Sequence, residues 1–203
     1  MRNFTTNNSW KGDVFIKTDI YNKENLKYEK LVYKKLYEEN KKHPEIDDMF
    51  ILPIAILTKS NKNILITKKY NTIQLENYIY DNKLTIEELY NILVELFNVV
   101  YYMNEILNIY HNDLHFKNVF IEIHEPKIKK YFFNPSYPFL CKYMSKYTIR
   151  VYDFDNAFIF DQKNNYLITK DMCIDYGSCN FKSTKDLFVI ATICINYYGK
   201  NPN

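Results

Sequence analysis

Glycine occupies only three of 203 positions, 12, 177 and 199, and this scarcity narrows what the chain can fold into more than any other feature. Glycine is the residue that lets a backbone adopt left-handed dihedrals and pass close to a phosphate. No combination of the three forms G-x-G-x-x-G or G-x-x-x-x-G-K-[ST], so dinucleotide-binding fingerprints and Walker A loops are excluded. The length allows one domain or two small lobes. With 47% hydrophobic and 25% charged residues, the chain buries a real core and does not belong with disordered segments.

Charge and targeting remove further classes. A net charge of +3, without a clustered basic face, argues against nucleic acid as a partner. The longest apolar runs, Phe50–Leu57 and Leu187–Ile195, fall short of the roughly 18 residues of a membrane span. The N-terminal MRNFTTNNSW lacks the apolar segment of a secretory signal, and a cytoplasmic location is the expectation. Cys141, Cys173, Cys179 and Cys194 are scattered, and the pair Cys173 and Cys179 has no nearby histidine. Reduced structural thiols are therefore expected instead of a disulfide framework or a zinc site. The heavy use of Asn, Lys, Ile and Tyr is what AT-rich coding DNA produces.

The order of periodicities gives the architecture. Residues Asp13–Thr18 read as a strand entered through a turn at Gly12. Asn22–Asn40 reads as a helix on the spacing of Tyr28, Leu31, Val32 and Leu36, ended at His43-Pro44. Strands are expected over Phe50–Leu57 and Asn63–Lys68, then a short helix over Gln74–Tyr80. Thr85-Ile-Glu-Glu88 has the form of a capping box. Behind it Leu89, Ile92, Leu93, Leu96, Val99, Val100, Met103, Ile106 and Leu107 make an apolar stripe to about Tyr110. Val119–Ile123 and Tyr147–Tyr152 look like strands, and Thr184–Tyr197 like a buried helix. The sum is an α+β arrangement of a small sheet lobe and a helical lobe.

Chemistry concentrates in two segments. His111-Asn-Asp-Leu-His-Phe-Lys-Asn118 follows the long helix, and Val151-Tyr-Asp-Phe-Asp-Asn-Ala157 follows a strand-like run. An Asp with an Asn five residues on, and then an Asp-Phe closing a strand, is the grammar of phosphoryl transfer. The first Asp orients a hydroxyl and takes its proton, while Asn and the second Asp supply oxygen ligands to magnesium. With 4 His in the chain, H-x-D-x-x-x-x-N arises by chance about 0.03 times, so coincidence is the weaker explanation.

His111–Val119 and Asp153–Asp155 resemble the catalytic loop and metal-binding segment of the eukaryotic-type protein kinase superfamily. The resemblance implies a protein kinase-like bilobal fold with both lobes abbreviated: residues 1–70 as a small β-sheet N-lobe and 71–203 as a mostly helical C-lobe. It implies ATP and Mg²⁺ as cofactors, Asp113 as the catalytic base, and Asn118 and Asp153 as metal ligands. Val14-Phe-Ile-Lys17 resembles the V-A-I-K strand, which makes Lys17 the phosphate-binding lysine; its competing reading is a surface lysine. Glu29 is the ion-pair partner of Lys17, with Glu24 the runner-up. Lys68, Lys69 and Tyr70 stand where the connection between lobes would offer backbone groups to adenine. Asp186 resembles the aspartate that anchors the catalytic loop from below, against the alternative of a helix-start acid.

The chain departs from that pattern in informative places. Only sixteen residues precede Lys17, with no glycine-rich loop; either Asn3–Lys11 supply a single covering strand or the N-terminus is incomplete. His115 stands two residues after Asp113 where protein kinases carry Lys, and Asp155 replaces the glycine of D-F-G. Both features are similar to the aminoglycoside and choline kinase branch. Asn112 replaces the arginine that receives an activation-loop phosphate. Glu122–Thr148 is a Tyr-, Phe- and Lys-rich insertion, read as an aromatic-packed β-hairpin in preference to a base-stacking surface. Together with D-F-D and the composition, it resembles kinase-like proteins of large DNA viruses, for which host cytoplasm or virion would be the setting. Three functions follow: a kinase acting on Ser/Thr of protein substrates, a phosphotransferase acting on small hydroxyl compounds, or a catalytically dead scaffold.

Overall fold

A computed structural model describes residues 6–19, 25–43, 46–59, 62–132, 140–161, 166–167, 186–187 and 191. The architecture is α+β. Its first part is a four-stranded antiparallel sheet of order β1-β2-β4-β3, built from β1 (Thr6–Lys11), β2 (Val14–Asp19), β3 (Pro53–Lys59) and β4 (Lys62–Lys68). Strand β1 pairs with β2 through a two-residue turn at Gly12-Asp13. Gly12 has φ of 60°, the left-handed first corner that a tight hairpin of this kind assigns to glycine. A Cβ there would meet nothing within 4 Å, so the requirement is dihedral, not steric.

Helix α1 (Asn25–Asn40) crosses from β2 toward β3. Its buried stripe is Glu29, Val32, Tyr33 and Leu36, steps of three, one and three that follow one helical face. Leu31, expected on that stripe, is instead exposed, because the face is centred one residue further on and takes in Tyr33. A short turn, α2 (Ile46–Met49), precedes β3. The expected strand from Phe50 begins at Pro53; Phe50 forms an isolated parallel bridge to Val151, and Ile51 N–H bonds Val151 O at 3.0 Å. Residues 50–52 thereby fasten the first sheet to the rest of the chain.

After β5 (Ile73–Gln74) and α3 (Leu75–Asp81) comes α4 (Ile86–Tyr101). Its capping box is complete: Glu88 N–H donates to Thr85 Oγ1 at 3.1 Å, and Thr85 N–H to Glu88 Oε2 at 2.9 Å. The apolar stripe is buried as its spacing requires. The α-helix stops at Tyr101, however, not near Tyr110. One wide π-turn follows over Tyr102–Ile106, with Leu107 N–H bonded to Tyr102 O. Asn108 then takes φ of 52°, a left-handed stop that Asn tolerates. The extra residue in the turn buries Asn104 and frees Ile109–Tyr110 to become β6.

Strands β7 (Val119–Phe132) and β8 (Leu140–Val151) form one long antiparallel hairpin, with β5 on the far side of β7. It takes in most of the Tyr-, Phe- and Lys-rich insertion, although the tip, 133–139, lies outside the described residues. Register runs Val119↔Val151 and Ile121↔Ile149, then shifts between Ile123 and Lys127. Before the shift Val119, Ile121, Ile149 and Val151 are buried. Beyond it Ile128 and Met144, directly opposite each other, are 64% and 54% exposed. Tyr147 packs edge-on against Tyr78 of α3, ring centroids 6.0 Å apart. β9 (Phe158–Asp161) pairs with β6 and with β10 (Tyr166–Leu167).

One core joins these layers, running from Val32, Tyr33 and Leu36 through Leu89, Ile92 and Leu96 to Ile121, Ile149 and Phe154. Of the helix expected over Thr184–Tyr197, only Asp186, Leu187 and Ala191 fall within the described residues, all helical. Glu24, Cys173, Cys179 and Cys194 lie outside them. Among the described residues no helix is long and apolar enough to cross a membrane.

Candidate active site

The site is assembled from β2, α1, the loop before β7 and the turn after β8. Lys17 lies on β2, and its side chain is almost wholly buried. Its Nζ stands 3.1 Å from Glu29 Oε2 and 3.4 Å from Oε1. The same nitrogen stands 2.5 Å from Asp153 Oδ1 and 3.9 Å from Asp155 Oδ2. Three carboxylates thus converge on one ammonium. Burial alone would lower the Lys17 pKa, but Glu29, Asp153 and Asp155 outweigh it and hold the ammonium above its usual range. Burial pushes Glu29 up to about 7, opposed by Lys17 and reinforced by Asp153 and Asp155. Asp155 is likewise raised, first by burial and then by Asp153.

The loop carrying Asp113 is fixed from below. Asp186 Oδ2 accepts the His111 N–H at 2.9 Å, and Oδ1 accepts the Asn112 N–H at 3.1 Å. This decides between the two readings of Asp186: it braces the loop. Turning the Asn104 amide end for end brings its nitrogen to 2.8 Å from Ile109 O and 3.1 Å from Asp186 Oδ2, so the π-turn feeds the same brace. Asn112 sits at φ of 62°, a left-handed conformation costing about 1 kcal/mol that the Asp186 bonds help offset. The fully buried His111 ring donates from Nε2 to Tyr152 O at 2.9 Å, tying the loop to the residue before Asp153.

Asn118 closes the loop on itself. Its Nδ2 donates to Asp113 O at 3.0 Å and lies 3.3 Å from His115 Nε2, while its main-chain carbonyl accepts Tyr152 N–H at 3.0 Å. The Asp113 carboxylate receives Asn156 Nδ2 on Oδ2 at 3.2 Å. Asp153 has φ of 69°, and the next residue, Phe154, is fully buried. Its ring packs against Tyr33, Phe50 and His111 at 5.5, 5.9 and 5.1 Å. Asp155 lies outside the left-handed region, so no glycine is required at that place.

Lys17, Glu29 and Asp153 therefore meet directly, and Asp113 and Asn118 meet each other. Hydrogen bonds through Tyr152 and Asn156 link the two groups. Lys68 closes β4, and Lys69 and Tyr70 follow it directly. The Lys69 N–H is committed to Asp13 O at 2.7 Å, which removes it from the groups that could serve a base. Tyr70 is flanked by Lys68 Nζ at 4.8 Å and the Arg150 guanidinium at 5.0 Å. Lys117 extends toward Glu76, 3.9 Å away. Sequence reasoning missed Asn156, whose only signal is its place three residues after Asp153.

For a metal, the oxygen donors of Asp153, Asp155 and Asn118 suit a hard cation that completes its shell with water and phosphate. The carboxylate excess around Lys17 is in keeping with one. No group of three or more His, Cys, Asp or Glu in metal-holding geometry occurs among the described residues, so these side chains would form a partial shell.

No protein-family model matches the chain, and no curated protein does. Among solved structures it is similar to one described as the kinase domain of PF14_0431, at 14% identity and a TM-score of 0.49. That likeness covers 71% of this chain and 43% of the other, so the chain spans less than half the length of that structure.

Proposed function

We propose that this chain is an ATP- and Mg²⁺-dependent phosphotransferase with a protein kinase-like bilobal fold, residues 1–70 forming the smaller lobe and 71–203 the larger. The observation that carries the reading is the buried Lys17 ammonium, held by Glu29 at 3.1 Å and by Asp153 at 2.5 Å across 136 residues of chain. A lysine locked between a helix carboxylate and the Asp of an Asp-Phe segment is placed to neutralise phosphate oxygens. Asp113, on its braced loop, takes the proton of an acceptor hydroxyl. The hydroxyl oxygen bonds the γ-phosphorus as the bond to the β–γ bridging oxygen breaks, and ADP leaves with that electron pair. Asn118 and Asp153 would hold magnesium, which supplies charge neutralisation to the phosphates.

Ser/Thr side chains of proteins are the first acceptor class to test, and small hydroxyl compounds the second. The second reading is favoured by His115, whose ring lies against the Asn118 amide, while Lys117 turns toward Glu76. The test is calorimetric titration with Mg·ATP, followed by radiolabel transfer to both acceptor classes. Asp113→Asn should lower transfer by about 10²–10⁴-fold and leave nucleotide binding intact, whereas Asp153→Asn should weaken both. Without a glycine-rich loop few backbone N–H groups cradle the phosphates, so nucleotide affinity should be weak. No binding at millimolar nucleotide and no transfer would overturn the proposal in favour of a binding scaffold.

A further inference from the structure

We infer that Asn156 is a positioning residue for the Asp113 carboxylate, holding one of its oxygens so that the other meets the acceptor hydroxyl; the inference rests on the reading of Asp113 as the base. The hydrogen bonds to Asp186 and Asn118 fix the loop's main chain, including the Asp113 carbonyl. They leave the Asp113 side-chain torsions unset. The contact that sets them comes from a segment 43 residues away, through Asn156 Nδ2 to Asp113 Oδ2 at 3.2 Å.

Asn156 is itself rigidly presented. It is the second corner of a turn closed by Ala157 N–H to Phe154 O at 3.1 Å. Both ends of that turn are buried, Phe154 at 0% and Ala157 at 1% exposure. With its ends pinned in the core, the turn cannot swing Asn156 away without unpacking Phe154. The other corner, Asp155, carries the same charge as Asp113. A neutral amide at position 156 therefore does what a second acid could not: it donates to the base instead of repelling it. A hydrogen bond to a charged group is among the stronger neutral-to-ion contacts, and a base misplaced by a fraction of an ångström loses the alignment that proximity supplies.

The experiment compares wild type, Asp113→Asn, Asn156→Ala, Asn156→Asp and Asn156→Gln by steady-state transfer and Mg·ATP calorimetry, with thermal unfolding as the folding control. Asn156→Ala should lower kcat about 10- to 100-fold with the nucleotide KM and binding constant unchanged. The isosteric Asn156→Asp should be slower than Asn156→Ala, because it keeps the shape but puts an acceptor against an acceptor. Asn156→Gln, which keeps the donor, should recover part of the rate. A merely structural role predicts the opposite order, with the isostere the better enzyme, and that order would overturn the inference. So would an Asn156→Ala rate equal to wild type while Asp113→Asn is dead, a result that leaves the phosphotransferase reading standing. A wild type inert toward every acceptor would overturn both.

Discussion

Among the described residues, two buried lysine–glutamate pairs differ in what surrounds them. Lys17–Glu29 joins β2 to α1 at 3.1 Å, with side chains 4% and 0% exposed. Lys129–Glu95 joins β7 to α4 at 3.0 Å, with side chains 13% and 3% exposed. The second pair is balanced: one carboxylate and the Thr148 hydroxyl at 2.9 Å meet the ammonium, His124 Nε2 lies 3.0 Å from that same hydroxyl, and Lys127 and Asp48 act on the ammonium with opposite signs. The first pair is not balanced, since Asp153 and Asp155 crowd the same ammonium. The two lysines shift in opposite directions as a result. Burial wins at Lys129 and lowers its pKa, whereas carboxylates win at Lys17 and raise it. A balanced pair is a staple between a helix and a hairpin. A surplus of carboxylate around a buried cation is a poor staple, and its net negative charge attracts a further cation.

The largest effect should come from removing the crowded cation. Lys17→Met leaves Glu29 buried beside two other carboxylates and should cost about 3–5 kcal/mol in urea unfolding at neutral pH. Lys129→Met removes an ammonium that meets one carboxylate instead of three, and should cost less. Millimolar Mg²⁺ should raise the Tm of Lys17→Met and leave that of Lys129→Met unchanged. Equal responses would remove the distinction between site and staple.

Removing the acid should reverse the order. Glu95→Gln leaves the Lys129 ammonium with neutral acceptors and no carboxylate in contact, and should cost about 2–3 kcal/mol. Glu29→Gln leaves Lys17 with Asp153 still in contact and should cost under about 1 kcal/mol. If Glu29→Gln proves the more damaging of the two, Glu29 and not Asp153 is the main partner of Lys17.

The pH dependence separates the pairs again. Glu29 titrates near 7 in the folded chain against an ordinary value of 4.5. Its contribution is therefore complete below pH 4.5 and is lost as pH rises through about 7. Lys129 is depressed below its ordinary 10.5, so its surroundings make the fold gain stability as pH rises toward that value. Urea titrations from pH 5 to pH 8 should show the Glu29 decline in wild type and in Glu95→Gln, and its loss in Glu29→Gln.

The same contrast explains what was legible in the sequence. The pairing of Lys17 with Glu29 is implied by the resemblance of Val14–Lys17 to the V-A-I-K strand, and the inward face of Glu29 by its helical spacing with Val32 and Leu36. The Thr85–Glu88 cap and the Asp113-to-Asn118 loop are also written in short spacings. Lys129–Glu95 bridges 34 residues and Asn156–Asp113 bridges 43, and neither leaves a periodic trace. Glu95 sits within an apolar stripe, where its charge looks like an interruption until the hairpin supplies its partner. The π-turn at Tyr102–Ile106 leaves no mark in the sequence because its residues continue the helical pattern. Only the side-chain role of Asn104 and the stop at Asn108 end it.

The smallest effect belongs to a third pair on the same helix–hairpin seam, and it tests whether burial is what gives the other two their weight. Lys146 Nζ lies 2.6 Å from Glu88 Oε1, but the side chains are 39% and 26% exposed. The Lys146 contact and the Thr85 N–H hold the Glu88 carboxyl down at about 2. A depressed acid contributes stability above its ordinary 4.5 and loses it as pH falls toward 2, the reverse of Glu29. Water and salt screen a pair this open, so Lys146→Met should cost no more than about 0.5 kcal/mol and less still at 1 M salt. Thr85→Ala, which removes the cap and not the charge, should cost about 1 kcal/mol at any salt concentration. Should Lys146→Met prove as costly as Glu95→Gln, exposure would not be what separates these pairs, and the ranking of all three would have to rest on hydrogen-bond geometry instead.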